Sequence, residues 1–331
     1  MADTKISDLT ITPYSGLVGT EVFPFAKAGA NGGTTAKDLW NSIELDSSYS
    51  QPSALANTAA LFAKNIGGRA MPAWANNDTM STTVQPHLGR NKFSFWQPLG
   101  NAATVPLTTG FPAATALGTA TARNVAVTNT LTRMKRLGYV SVATAGGLAG
   151  IYWNAAAGTQ ITTGDGVGNN GSGFHMIIRF GTSDAAAVSG ARAFIGYQTG
   201  VAAPTNVEPN TLTNCIGVAQ LSTDATQWYL VYGGSAAQIA IALGTAVGAP
   251  TLVDTVWDFT VYSSQFSTTT LSYSFTNLKT NVTVSGTVSG TATVAIPTSA
   301  TYGAPRAWRC NNATALAVGI DIGSISVETD I

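Results

Sequence analysis

Phe174-His-Met-Ile-Ile-Arg-Phe180 sets Phe174, Met176, Ile178 and Phe180 on one side of an extended chain, with His175 and Arg179 on the other. Strand side chains alternate between two faces, so the run reads as a strand with one buried face. The same alternation returns at Trp228/Leu230/Tyr232, Ile239/Ile241/Leu243 and Trp257/Phe259/Val261, and Leu271, Tyr273 and Phe275 alternate with Thr and Ser. Near the end, Leu316, Val318, Ile320 and Ile322 share a face, the phase slips at Gly323-Ser324, and Ile325 and Val327 resume it. A slip of that kind marks a β-bulge or a strand break. Gly233-Gly234 and Ala249-Pro250 supply turns between the runs. Many short strands with almost no helix predict an antiparallel β-sandwich or jelly roll. The expected fold is therefore mainly β. The sandwich covers residues 92–331, preceded by a small N-terminal α+β unit over 1–45 and a connector with a short helix over 46–91.

The chain has 331 residues, of which 45% are hydrophobic and only 10% charged. About 25% charged is usual, so Thr, Ser, Asn, Gly and Ala must cover the surface, either against partner chains or as uncharged β-surface. Residues 1–136 hold eleven Lys/Arg and seven Asp/Glu, and residues 137–331 hold five and nine. Charges of +4 and −4 are too small for electrostatic capture of nucleic acid. The one basic cluster, Arg133, Lys135 and Arg136, reads as a solvated turn. No apolar run is long enough for a transmembrane helix, and Met1–Thr10 has no apolar signal core, so the expected place of synthesis is a cytoplasm. Cys215 and Cys310 lie in apolar strand-like settings and read as buried free thiols.

In the first unit, Ile6 and Leu9 begin a turn or helix, Glu21–Ala26 reads as an edge strand broken by Pro24, and Thr35 caps a short helix over 36–43. So short a unit needs copies of itself or another protein for stability. In the connector, Ser53–Asn65 places Leu55, Ala59 and Phe62 at helical spacing, with Gly67-Gly68 as the stop. Such a helix fits either a parallel bundle about a three-fold axis or packing on its own chain.

Two sets of motifs carry a resemblance. Lys5-Ile-Ser-Asp-Leu9, Gly19-Thr-Glu-Val-Phe-Pro-Phe25 and Thr34-Thr-Ala-Lys-Asp-Leu39 look like a segment common in bacteriophage tail proteins. Gly89-Arg-Asn-Lys-Phe93, Trp96-Gln-Pro98, Gly100–Pro106, Leu212–Gly217, Ala307-Trp308 with Asn311–Ala315, and Val318–Asp330 resemble a C-terminal domain of phage fibres. The chain is thus similar to tail-fibre and other virion-fibre proteins with a lectin-like sandwich. The resemblance implies a homotrimer on the tail or another virion appendage, assembled in the host cytoplasm. It implies docking to tail, baseplate or neck proteins through the N-terminus, and attachment to a host surface glycan or protein through the sandwich. Two other classes stay open: a purely structural head or neck fibre or decoration, and a polysaccharide depolymerase.

No motif requires an enzyme, a cofactor or a metal. The two histidines, His87 and His175, belong to no zinc-spaced cluster, and His175 reads as an exposed or interface residue. Thr163–Gly168 lacks the carboxylates of a calcium loop, and Gly164–Gly173 reads as a surface loop. No G-x-S-x-G occurs. Asp254 and Asp258, the nearest acidic pair of the β region, would lie roughly 13 Å apart on one strand face, wide for glycoside hydrolysis. Flat aromatic faces suit sugar rings, and the aromatics that could supply them are Trp96, Trp153, Tyr197, Trp228, Trp257 and Trp308. The alternation assigns Trp228 and Trp257 to the core. Trp153-Asn154, ahead of a small-residue loop, is expected to be the most exposed of these and is the candidate ligand contact, with the binding residues otherwise unassigned.

Overall fold

The computed structural model describes residues 59–76, 81–83, 92–105, 107–153, 161, 163, 174–200, 202–263, 269–290, 294–298 and 302–329. The expected N-terminal unit, Asn154, and the loop Gly164–Gly173 lie outside the described residues.

The first strands are β1 (Ala59–Ile66), β2 (Arg69–Asn76), β3 (Ser81–Thr83), β4 (Lys92–Gln97), β5 (Leu107–Thr109), β6 (Thr115–Leu117) and β7 (Thr119–Ala122). Next come β8 (Leu137–Val140), β9 (Leu148–Tyr152), β10 (His175–Thr182), β11 (Arg192–Thr199), β12 (Cys215–Leu221) and β13 (Asp224–Gly233). The last are β14 (Ile241–Ala242), β15 (Trp257–Tyr262), β16 (Thr270–Asn277), β17 (Val282–Ser289), β18 (Gly303–Cys310) and β19 (Gly319–Thr329). One antiparallel sheet runs β17-β16-β15-β10-β19-β4-β5, with β8 also on β19 and β7 on β8. The other runs β14-β13-β12-β11-β18-β9-β6. A separate three-stranded sheet, β1-β2-β3, precedes them. The protein is a mainly β, antiparallel sandwich.

The expected slip in the last strand is present. Arg179 faces Ser324 while Phe180 faces Ile322, so Gly323 is the extra residue of a bulge. On one side of the bulge β19 pairs with β8, and on the other with β4. A Cβ at Gly323 would lie 2.3 Å from the Met134 sulfur, so the missing side chain lets segment 133–135 close onto the sheet.

Between the large sheets lies one continuous core. At its centre Phe180, Trp257 and Phe275 of the nine-stranded sheet meet Trp228 of the other, with Phe180–Trp228 edge to face at 5.5 Å. A buried ring of this size removes about 150–250 Å² from water, at most roughly 4–6 kcal/mol each. The outward side of the seven-stranded sheet carries a second buried cluster, Phe194, Trp308, Cys215 and Cys310 among them. Arg306 donates to the carbonyls of Gly200 and Ala202, tying the segment after β11 across that side. Both cysteines are free and buried, as expected. Burial pushes the Cys215 thiol up to about 12.

Three sequence expectations are corrected here. Residues 59–66 form a strand, not the end of a helix, and Gly67-Gly68 is a two-residue hairpin turn with both φ values positive (60° and 93°). Paired glycines suit a type I′ turn as well as a helix stop, and cross-strand pairing decided between them. Ile239 is 90% exposed and only Ile241–Ala242 of its run forms a strand, so of that alternation Leu243 alone enters the core. Arg136 is buried, not solvated. Its Nε donates to Asp321 at 2.7 Å, and that carboxylate also accepts from Arg123 at 3.1 Å and Ser183 at 2.7 Å.

Candidate functional site

The outward side of the nine-stranded sheet follows from register. Thr283, Thr276, Asp258, Arg179 and Ser324 form one row across five strands. Ser285, Ser274, Thr260, Ile177, Ser326 and Phe95 form the next. Thr287, Ser272, Tyr262, His175, Glu328 and Phe93 form the third. Each lies opposite the buried residues of the same strand, so alternation that builds the core also builds this polar surface.

The β1–β2 hairpin crosses this surface. Met71 and Ala73 are buried on its inner side, facing Lys64 and Phe62 across the ladder. Its turn sits directly on the sheet: a Cβ on Gly67 would fall 2.5 Å from the Thr260 methyl, and one on Gly68 2.4 Å from Ser272 Cβ. Only glycine combines that approach with a left-handed backbone. Arg69 leaves the turn to ion-pair with Glu328, and His175 Nδ1 is 3.0 Å from the same carboxylate oxygen. Glu328 accepts from Arg69, and His175 Nδ1 packs against both, 3.0 Å from that oxygen and 3.2 Å from Arg69 Nη1. His175 is therefore not exposed; it is 3% accessible beneath the hairpin.

Beside the hairpin a groove of about 1000 Å³ remains open, lined by Lys64, Asn65, Ile177, Arg179, Asp258, Thr276 and the Ser/Thr face of β16 and β17. Arg179 grips Asp258 bidentately, at 2.8 and 2.7 Å. The hydrogen bonds that Arg179 donates to Asp258 raise the guanidinium's pKa above its ordinary value, against the opposing effect of burial. Thr276 and Thr283 share a hydroxyl bond at 2.9 Å. The hydroxyls of Ser272, Ser274, Ser285 and Thr287 make no hydrogen bond to another described residue. The surface thus offers fixed donors and acceptors in rows of about 6.8 Å along strands spaced about 4.8 Å apart. It suits a ligand rich in hydroxyl groups.

The aromatic residues singled out in the sequence are elsewhere. Trp153 is 1% exposed, stacked on Phe111 at 4.6 Å with its Nε1 donating to the Pro112 carbonyl at 3.0 Å. Its expected exposure is corrected: the ring is packed within the protein and its polar edge is already hydrogen-bonded. Trp96, Tyr197, Trp228, Trp257 and Trp308 are buried too. Asp254 and Asp258 do not share a strand face. Asp254 precedes β15 and pairs with Lys279, while Asp258 pairs with Arg179. Among the described residues no group of three His, Cys, Asp or Glu side chains could hold a metal, and no helix is long and apolar enough to cross a membrane.

No protein-family model matches the chain, and no curated protein matches it. Solved structures do. Peanut lectin is similar at 13% identity and a TM-score of 0.43, over 72% of this chain and 97% of that one. Lectin II from Ulex europaeus is similar at 11% identity and 0.45, over 73% and 100%. A protein of unknown function from Shewanella oneidensis is similar at 12% identity and 0.43, over 76% and 91%. The likeness is one of architecture; what the groove binds follows from its own side chains. The sequence did not single the groove out. Its signal was the Ser/Thr half of the β16 alternation, set against Arg179 on the polar side of β10.

Proposed function

We propose that the protein is a glycan-binding fibre subunit of a bacteriophage, holding a host surface glycan in the groove between the β1–β2 hairpin and the nine-stranded sheet. The observation that carries the binding reading is the groove of about 1000 Å³, lined by Ser and Thr hydroxyls around the Arg179–Asp258 pair. Asp258 accepts from sugar hydroxyls and Arg179 donates to them, while their mutual bond holds both in place. Asp258 is the one carboxylate among the described lining residues and is engaged by Arg179, which supports binding without hydrolysis. The resemblance of residues 5–39 and 89–330 to phage fibre segments supports the virion setting on a tail or other appendage, with the N-terminus docking to virion proteins. It also supports a homotrimer, in which three weak sites on one particle act together.

The test is binding of the full chain to a panel of bacterial surface polysaccharides, with D258N and S274A/S285A as variants. Binding to at least one glycan, weakened about tenfold or more by D258N with the melting temperature unchanged, is the expected result. Failure to bind any of the panel would sink the reading, as would release of oligosaccharides for its non-enzymatic part. Labelled-antibody microscopy of virions and light scattering of the purified chain check the location and the trimer.

A further inference from the structure

A second cleft, of about 340 Å³, opens at the other side of Arg179, lined by Gln97, Arg133, Lys135, Ser324 and Leu278 among others. Arg179 and Leu278 line both this cleft and the groove, so the two are continuous across the sheet. From β17 to β4 the strand order spans five neighbouring steps, about 24 Å at the usual strand spacing. The trough is chemically uneven. Its β16–β17 end is hydroxyl-lined. Its β4 end holds Arg133 and Lys135, with no carboxylate among the described lining residues. Arg133 donates only to the Val127 carbonyl, and neither cation is ion-paired with another described residue. Asp258 neutralises Arg179 but not these two. Their placement is built into the fold: the bulge and the bare Cα of Gly323 admit Met134, and Arg136 is anchored on Asp321 just beyond. Met134 between them and Arg136 just beyond hold Arg133 and Lys135 along the trough.

We infer that the ligand is an acidic polysaccharide, a linear chain whose hydroxyls lie in the groove and whose sugar carboxylate is received by Arg133 and Lys135. This deepens the glycan reading and rests on it. Two cations without a counter-carboxylate, at the end of a trough shaped for an extended polar chain, favour an anion there by charge complementarity, and the two-site span favours a polymer over a single ring.

The experiment uses the full chain and a panel of uronate-bearing polysaccharides, each beside its carboxyl-reduced form, at low and physiological salt. The expected result is that at least one uronate polymer binds ten-fold or more tighter than its reduced form. R133Q/K135Q should abolish that difference and flatten the salt dependence, without changing the melting temperature. Equal binding of both forms, or an unchanged preference in the double variant, overturns the acidic-ligand inference and leaves the glycan reading standing. Binding of no polysaccharide in the panel overturns both.

Discussion

Replacing Arg69 by Ala should free the hairpin from the sandwich while leaving the sandwich folded. Arg69, Glu328 and His175 have side chains only 14%, 6% and 2% exposed. Removing the guanidinium takes a cation away from a buried carboxylate that His175 Nδ1 also approaches. Breaking a buried pair from one side costs about 3–5 kcal/mol. The loss is confined to what the hairpin gains by docking, because an isolated hairpin is marginal in water. Taking about 3 kcal/mol, the ratio of docked to undocked hairpin falls on the order of a hundredfold. Native-state hydrogen exchange reads this directly. Amide protection over residues 59–76 should drop by about that factor, with β12 and β13 unchanged, and glycan affinity should fall because the groove loses a wall. E328Q, which keeps an acceptor for Arg69, should lose less. Unchanged protection over 59–76 in R69A would refute the clamp, and an equal loss everywhere would show that the residue supports the whole fold instead.

Three further outcomes follow from the same geometry. Gly150 has φ +142°, and a Cβ there would meet the Ala307 carbonyl at 2.0 Å, so G150A should lower stability by about 3 kcal/mol or more in denaturant melts, whereas G200A, which meets nothing, should cost far less. With its thiol pushed up to about 12 by burial, Cys215 should resist a thiol reagent at mildly alkaline pH until the protein unfolds; rapid labelling of the native state would contradict its burial. Hydrogen bonds from Thr226, Tyr229 and Gln227 hold the Asp224 carboxyl well below its ordinary range. Its small contribution is therefore complete above the unfolded value of about 3.9 and fades as pH falls from there toward the depressed folded value. D224N should flatten the acid limb of a urea-midpoint profile, and an unchanged limb would exclude this group.

The sandwich was legible because its strands alternate strictly where two sheets face each other. The phase slip at Gly323-Ser324 even located the bulge, since one inserted residue must exchange the faces. The Ala59–Asn65 stretch misled because Ala, Leu and Phe recur there at both periods and Gly-Gly ends either element. Pairing with residues 69–76 settled the matter, and pairing is not local information. The candidate site was harder to see for a related reason. An aromatic in a sequence carries no sign of whether its face is covered, and Phe111 covers Trp153. Nor is a groove made by a hairpin lying over a sheet visible in either element alone. Arg133 and Arg136 stand three residues apart in one basic run, yet one lines an open cleft and the other is buried on Asp321.

The hairpin's open end has a mechanical consequence. Ala59 and Asn76 are cross-strand partners at the end opposite the turn. Tension entering from upstream of residue 59, resisted by the sandwich beyond residue 76, therefore loads the ladder as a zipper. Rungs yield one at a time from Ala59–Asn76 toward Ile66–Arg69, and the Arg69 anchor is reached last. Under the proposed function, load applied through the N-terminal side strips the wall of the groove assigned to the glycan, so the grip weakens under load.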